Sequence, residues 1–391
     1  MNKDTVTKSR EPYLSIRGQK RLLFYAQILE ELSDYYSEEK TISSGKDRKR
    51  IWQENLSNEQ SKIMEGQLRS LSHLLENMAD ESIEPVEGYE KYIKKLMRKL
   101  TENDLIVEDI RVSRQNYARI KMEICCMAKE GDYFSTNELA EFVSSIIHKP
   151  LVPDVDNPAY IHHKKECIVL REELYYQYYV GKAQAVKEGE QVSGDYFIYS
   201  DYADGRSLLA LADGMGSGEV AGEDAAFTLE LLDKLLEAGM TLKDATCQVN
   251  DILCMRCRKL RTVSVDCMLL DLYSGEATIR KSGAAPLFVI RRDKVERKVI
   301  EALPLGIIPG SFGESAQFYV SDQDQIVLVS DGILEALGDE SGEKLTEALA
   351  KMHDSEPKSL AAKILTMATM ASSGRIADDM TVIVVNICER G

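Results

Sequence analysis

Two apolar segments of the chain each end in the dipeptide Asp-Gly, and this feature constrains the fold more than any other. The first, LLALADG, runs from Leu208 to Gly214 and continues into a glycine-rich turn, and the second, IVLVSDG, runs from Ile326 to Gly332. Continuous apolar runs of this length predict buried strands, and the Asp-Gly pairs favour turns. Carboxylates at the ends of buried strands, with flexible backbone behind them, can surround a hard cation.

Further acidic residues occur in the same setting. Asp213 and Asp331 end the two apolar segments. Asp195 lies before the first segment, and Asp378 and Asp379 precede a third apolar run, TVIVVNI. Because each of these carboxylates lies beside an apolar run, we predict a carboxylate metal site and not scattered surface charge.

Each motif also has a simpler interpretation. Asp and Gly favour turns by themselves, and Asp204-Gly205 is expected to be only a hairpin turn. The run 214–218 lacks the spacing and the Gly-Lys-Ser/Thr ending of nucleotide-binding loops. Asp251, in a predicted helix, is interpreted as a solvated charge. The ordered occurrence of the other aspartates beside apolar runs is what favours the metal site.

Composition limits the classes of partner. The 391 residues carry a formal net charge of −16, which opposes binding to nucleic acid or to an anionic membrane. The sequence has no apolar run long enough to span a bilayer and no secretory signal, so we expect a cytoplasmic protein without a membrane span. In that compartment the eight cysteines are expected to be reduced thiols. The five scattered histidines predict no histidine-based triad.

The spacing of apolar residues divides the chain into three predicted regions. Residues 1–103 show helical periodicity, which predicts either a small packed bundle or a regulatory arm that forms a homodimer through its helices. Residues 104–180 predict a small α/β module with no indicated chemistry. Residues 181–391 alternate short apolar strands with amphipathic helices, which predicts an α+β domain of two mainly antiparallel sheets covered by helices.

Nine strands and three helices are predicted in this last region. The helices are expected after Gly218, from 242 to about 260, and from 357 to 371. The predicted strands are 180–187, 194–200, 206–212, 264–272, 276–282, 286–291, 317–320, 326–330 and 381–387.

Seven motifs, in this order, resemble the metal-dependent type-2C (PPM) serine/threonine phosphatase family. They most resemble its bacterial branch, typified by stage II sporulation protein E and by stress-response phosphatases that act on anti-sigma-factor antagonists. The motifs are VSGDYF (192–197), LADGMGSG (211–218), SVDCMLLDL (264–272), KSGAAPLFVI (281–290), LPLGI (303–307), LVSDGILEA (328–336) and ADDMTVIVV (377–385).

The resemblance implies an α/β/β/α sandwich that holds two Mn²⁺ or Mg²⁺ ions. It implies that Asp213 bridges the two ions, that Gly214 contributes its carbonyl, and that Asp195 is the outer carboxylate that holds metal-bound water. It also implies that Asp331 and Asp378 complete the first metal. Many relatives have Asp-Asn where this chain has Asp378-Asp379, so Asp379 is the alternative ligand.

The resemblance further implies hydrolysis of phosphoserine or phosphothreonine by attack of a metal-bridging water. The implied substrate is a phosphorylated anti-sigma-factor antagonist, with the N-terminal region as regulator. A catalytically silent docking module is the alternative, and a small-molecule phosphatase is a third interpretation.

The chain departs from the family pattern in two respects. The arginine that binds the substrate phosphate in eukaryotic relatives has no counterpart in the sequence. The multi-pass membrane region of the sporulation protein is also missing, so the chain resembles the cytoplasmic part of that protein, either as a short relative or as an excerpt.

Overall fold

The structure is a computed structural model that describes most of the chain. It covers 16–37, 61–76, 88–114 and 119–390, apart from 203, 257–261, 284, 293, 301, 311–314, 340 and 353–355. The described residues form two compact units, one within Met1–Phe24 and Glu76–Leu174 and the other within Tyr25–Leu75 and Tyr175–Gly391. Among the described residues, no helix has the length and apolar character needed to cross a membrane.

The first unit packs two helices with a four-stranded antiparallel sheet, in the order β1-β2-β6-β4. Alternate residues of β2 are buried, as expected of a strand with one face in the core. Leu96 and Leu100 of α3 share this core with Leu139 and Val143 of α4, so both helices bury apolar side chains in one core. The elements are α3 (Glu90–Glu102), β1 (Leu105–Arg114), β2 (Ile120–Ala128), β3 (Phe134–Ser135), α4 (Thr136–Ile147), β4 (Leu151–Pro153), β5 (Tyr160–Ile161) and β6 (Glu166–Glu172).

One disulfide in this unit corrects the expectation that all cysteines are reduced. Cys125 of β2 and Cys167 of β6 are directly opposite in the antiparallel register and are joined by a disulfide. Cys126, the next residue, points to the other face and is a buried free thiol. Composition could not reveal this pair, because the register that opposes the two residues forms only when the sheet does.

The second unit contains two five-stranded antiparallel sheets, in the orders β14-β11-β10-β9-β8 and β13-β12-β15-β16-β7. The strands are β7 (Tyr176–Ala185), β8 (Asp195–Asp201), β9 (Arg206–Gly214), β10 (Val263–Asp271), β11 (Glu276–Ser282), β12 (Leu287–Arg291), β13 (Lys294–Lys298), β14 (Ser315–Tyr319), β15 (Gln325–Val329) and β16 (Met380–Glu389). All nine predicted strands are present. The additional strand, β13, is KVERK, and its charged sequence lacks the apolar signal of a buried strand.

Helices bury the outer face of each sheet. The first sheet shares a core with α5 (Glu219–Glu237) and α6 (Leu242–Arg256), through residues such as Leu208 and Leu229. The second sheet shares a core with α7 (Asp331–Leu337), α8 (Glu343–Leu349) and α9 (Pro357–Ala371). The predicted α+β fold with two mainly antiparallel sheets covered by helices is therefore confirmed.

Two N-terminal helical segments also belong to the second unit. They are the part of α1 (Ile16–Ser37) from Tyr25 onward, and α2 (61–76) as far as Leu75, both within the region of helical periodicity predicted over 1–103. The Ser72 hydroxyl donates a hydrogen bond to the Ala26 carbonyl at 2.8 Å, and the Ser33 hydroxyl donates one to the Glu65 carbonyl at 3.1 Å. The rest of the predicted helical region before residue 88 lies outside the described residues.

The prediction that Asp251 is a solvated charge is wrong. Asp251 lies on α6 and is only 1% exposed. Its Oδ1 accepts a hydrogen bond from the Gly310 backbone N–H at 2.7 Å, and burial raises the pKa of its carboxyl. The partner lies 59 residues further along the chain, so helical periodicity carried no sign of it.

Close packing of β7 against α9 generates a stability prediction. A Cβ on Gly181 would lie 2.1 Å from the Pro357 backbone carbonyl carbon, which cannot move without displacing the start of α9. We expect Gly181→Ala to lower the free energy of unfolding by about 3 kcal/mol, measured by urea denaturation. In the control Gly283→Ala, the new carbon would meet the Ser264 Cβ at 3.3 Å, and we expect a smaller loss. Equal losses in the two variants would contradict this account.

Candidate metal centre

The ends of β8 and β9 place two of the predicted site residues side by side. Asp195 begins β8, Asp213 lies one residue before the end of β9, and the two are direct partners in the antiparallel register. Directly opposed side chains on neighbouring strands lie close together, and like charges in this position repel each other. The pair is therefore unfavourable unless the carboxylates are protonated or neutralised by a cation.

Gly214 lets a helix approach this strand end closely. A Cβ at position 214 would lie 2.1 Å from the Ala221 carbonyl oxygen in the first turn of α5. Any side chain here would force α5 away from the strand. The glycine after Asp213 thus has a steric role in the fold, and its predicted carbonyl ligation stays a prediction.

Asp331 reaches the same region from the second sheet. It follows β15 and is the first residue of α7, with Ser330 as the preceding cap residue. The Ser330 hydroxyl accepts a hydrogen bond from the Thr381 backbone N–H at 2.8 Å, which ties the end of β15 to the start of β16. The adjacent Gly332 allows close packing, because a Cβ there would lie 2.1 Å from the Asp379 carbonyl oxygen.

Asp378 and Asp379 have different surroundings. Both oxygens of Asp379 accept backbone hydrogen bonds, Oδ1 from Lys187 N–H at 2.9 Å and Oδ2 from Gly194 N–H at 2.8 Å. Asp379 is also only 4% exposed. The Asp378 side chain is 36% exposed and uses one oxygen, Oδ1, to accept from Asp379 N–H and from Lys187 Nζ. Asp379 thus fixes the loop, while Asp378 keeps an oxygen available.

Burial and mutual repulsion shift the pKa values of the gathered carboxylates. Burial raises the pKa of Asp213 to about 8, and the charge of Asp195 is the next contribution. Burial likewise raises the pKa of Asp195 to about 7, against an ordinary value of 3.8. The pKa of Asp331 is also raised, first by burial and then by the charge of Asp378. Both effects disfavour the anionic form of these carboxyl groups.

The donor set fits divalent cations that prefer oxygen ligands. Asp195 is 5% exposed, its carboxylate makes no well-formed hydrogen bond within the described residues, and the nearby Thr381 and Ser330 hydroxyls only partly offset the rise that burial causes in its pKa. A buried carboxylate without partners is costly unless a cation or a water completes it. Within the described ranges, no group of three Asp, Glu, His or Cys side chains has the geometry of a complete metal-binding site. The carboxylates therefore share one electrostatic environment without forming a closed cage.

A buried ion pair beside these carboxylates was not predicted from the sequence. The cleft that Asp213 and Asp331 line is also lined by Asp266 of β10. Asp266 pairs with Lys281 of β11, the residue directly opposite it, and the Lys281 side chain is only 1% exposed. Both residues lie within the quoted motifs SVDCMLLDL and KSGAAPLFVI. The Asp-to-Lys pairing across two strands was the signal that could have identified them.

The raised pKa values predict how the stability of metal-free protein depends on pH. Between about pH 4 and pH 8 the folded state binds more protons at Asp195 and Asp213 than the unfolded state, so the free energy of unfolding falls as pH rises. We expect Asp213→Asn to raise the melting temperature in EDTA by about 2–4 °C at pH 8, with little change at pH 5. Thermal denaturation followed by circular dichroism measures this.

A matched control is Asp204→Asn, because Asp204 is paired with Arg206 and lies in a turn. This variant should gain no stability at pH 8. If Asp213→Asn were less stable than the wild type at pH 8 in EDTA, the ionised Asp213 would be stabilising the fold, contrary to our interpretation.

Comparison with known proteins identifies the second unit. Residues 203–387 match the family described as stage II sporulation protein E (SpoIIE). The chain is 25% identical over 338 residues to stage II sporulation protein E of Priestia megaterium, an alignment that covers 84% of this chain and 57% of that protein. It is 31% identical over 214 residues to the Bacillus subtilis (strain 168) protein of the same name, covering 54% of this chain and 26% of that protein. The chain thus spans only part of these relatives.

A solved structure shows the same fold. It contains the PP2C phosphatase domain and a fragment of the regulatory domain of SpoIIE from Bacillus subtilis. The superposition has a TM-score of 0.61 at 22% sequence identity and covers 87% of this chain and 99% of that chain. Residues 203–387 therefore resemble the SpoIIE family, the chain shares the PP2C, or PPM-type, phosphatase fold, and it is similar to stage II sporulation protein E over part of that protein's length.

Proposed function

We propose that this protein is a metal-dependent protein serine/threonine phosphatase. The observation that carries the proposal is the gathering of carboxylates from both sheets beside one cleft, where burial and mutual repulsion raise the pKa of Asp213. The SpoIIE-type domain supports the reaction class. A phosphatase that used a histidine or cysteine nucleophile would need that nucleophile, and a group that activates it, in place of a cluster of carboxylates.

Five residues are proposed to hold two Mn²⁺ or Mg²⁺ ions. When bound, such ions activate a water molecule and neutralise charge on the phosphoryl group. Asp213 and Asp195 are proposed to act together, since they are opposed across β8 and β9. Asp195 can also accept a hydrogen bond from water, because its carboxylate makes no well-formed hydrogen bond within the described residues. The proposed ligands are Asp195, Asp213, the Gly214 carbonyl, Asp331 and Asp378, with Asp379 as the anchor of the loop.

We further propose that the substrate is a phosphorylated anti-sigma-factor antagonist. The proposal rests on the resemblance to the bacterial branch that acts on such proteins. A catalytically silent docking module remains the alternative, and calorimetric titration with Mn²⁺ separates the two because a silent module should bind no ions. A small-molecule phosphatase would hydrolyse p-nitrophenyl phosphate but no phosphoprotein.

The N-terminal region is proposed to regulate the site through α6. The Gln248 side chain on α6 donates a hydrogen bond to the Gln67 carbonyl of α2 at 3.4 Å. Gly66 allows close approach there, because its Cβ would lie 3.0 Å from Asp251 Oδ2. From α6 the contacts continue to α5, whose first turn packs on Gly214. Movement of α2 could therefore reach the end of β9; dimerisation through the N-terminal helices stays a prediction.

The first test is phosphate release from a phosphorylated anti-sigma-factor antagonist in the presence of Mn²⁺. We expect release by the wild type, no release in EDTA, and at least about a hundredfold less release by Asp331→Asn, because a carboxylate near the phosphoryl group is lost. Activity that persists in EDTA would exclude the proposed mechanism.

A second test separates the roles of the adjacent aspartates. We expect Asp378→Asn to weaken Mn²⁺ binding at least about tenfold in calorimetric titration, because it removes a charged oxygen ligand. Asp379→Asn should bind Mn²⁺ more nearly like the wild type. It should instead lose about 1–3 kcal/mol of stability. The Asn side chain has only one acceptor oxygen, and its amide nitrogen cannot accept a hydrogen bond, so one of the two backbone N–H groups loses its partner. The reverse pattern would make Asp379 the ligand.

A further inference from the structure

One lysine at the edge of the carboxylate cluster is both anchored and accessible. The Nζ of Lys187 lies 3.3 Å from Asp378 Oδ1, and the Lys187 side chain is 33% exposed. Its backbone N–H donates to Asp379 Oδ1, and the N–H of the next residue, Glu188, donates to the Ile376 carbonyl at 2.9 Å. The backbone of Lys187 is thus fixed on the loop that carries the two aspartates, while its ammonium group keeps access to solvent.

Two other lysines near the site are less available to a ligand. Lys281 is 1% exposed and is paired with Asp266. The Nζ of Lys182 lies 3.9 Å from the centroid of the Phe197 ring, and burial lowers the pKa of this lysine. Moving a buried cation away from its partner leaves the partner's buried charge uncompensated, which is costly. A partly exposed ion pair such as that of Lys187 costs little to rearrange.

The net negative charge of the carboxylate cluster would oppose phosphate binding, and the Lys187 ammonium group can offset it. Asp213 experiences the charges of four other carboxylates, Asp195, Asp331, Asp378 and Asp379. Two divalent cations would offset four of these five negative charges, which leaves the site negative and repels a phosphate dianion. An ammonium group has three N–H donors, so Lys187 can keep its contact with Asp378 and still donate to a phosphate oxygen.

We infer that Lys187 binds the phosphate group of the substrate through Nζ, an inference that rests on the proposed phosphatase function. Lys187 follows the end of β7 and lies outside the seven motifs, none of which supplies an exposed cation for the phosphate. The hydrogen bonds of Asp379 to Lys187 and to Gly194 connect this lysine to the strand that begins with Asp195. Asp379 therefore positions the lysine as well as the loop.

The test is calorimetric titration of inorganic phosphate into the full chain loaded with Mg²⁺. We expect Lys187→Met to weaken phosphate binding about tenfold or more, and Lys187→Arg to restore most of the affinity because it keeps the charge. Affinity for Mg²⁺ itself, titrated separately, should not fall in Lys187→Met. Arg375→Met is the matched control, since Arg375 is an exposed cation on the same loop with no ion pair in the described part of the chain.

Three results with the variants would overturn the inference, and a fourth concerns the wild type. They are unchanged phosphate affinity in Lys187→Met, loss of Mg²⁺ affinity in that variant, and an equal loss of phosphate affinity in Arg375→Met. Absence of phosphate binding by the wild type would also overturn it. Failure of the proposed function has a different readout, because a wild type that binds phosphate through Lys187 but releases none from a phosphoprotein would refute only that function.

Discussion

The carboxylates at the strand ends repel one another, and the fold holds them together at a cost that the rest of the second unit must offset. Asp195 and Asp213 cannot separate without breaking the register of β8 and β9, and a slip of one residue would turn every side chain of a strand to the opposite face. The buried leucine and valine residues of both sheets oppose such a slip. Hydrophobic burial thus maintains an electrostatic arrangement that would otherwise disperse, and cations would relieve it.

Two kinds of local contact make this arrangement precise. Gly214 and Gly332 let α5 and the 378–379 loop approach strand ends at distances that any side chain would prevent. Asp379 accepts hydrogen bonds from the Lys187 and Gly194 backbone N–H groups and so joins its loop to a connection that lies 192 and 185 residues earlier in the chain. Its neighbour Asp378 is left with a free oxygen. One of two adjacent and identical side chains is therefore structural, and the other is available for chemistry.

Much of the second unit could be predicted from the sequence because its strands carry strong local signals. Apolar runs located β9, β15 and β16, and the Asp-Gly pairs located the turns that follow two of them. The resemblance then supplied the α/β/β/α layer arrangement and the roles assigned to Asp195, Asp213, Asp331 and Asp378. The edge strand β13 escaped prediction because a strand that buries little apolar surface carries no apolar pattern.

The sequence by itself determined nine strands and three longer helices of the second unit and which carboxylates lie at strand ends, because periodicity and turn chemistry act between near neighbours; it missed β13 and the short helices α7 and α8. Only the tertiary structure decided which groups those carboxylates meet. It opposed Cys125 to Cys167, buried Asp251 against Gly310, paired Asp266 with Lys281, and brought Lys187 to Asp378, 191 residues away. Such pairings depend on strand register and on the packing of loops, and neither is encoded in the local pattern around a single residue.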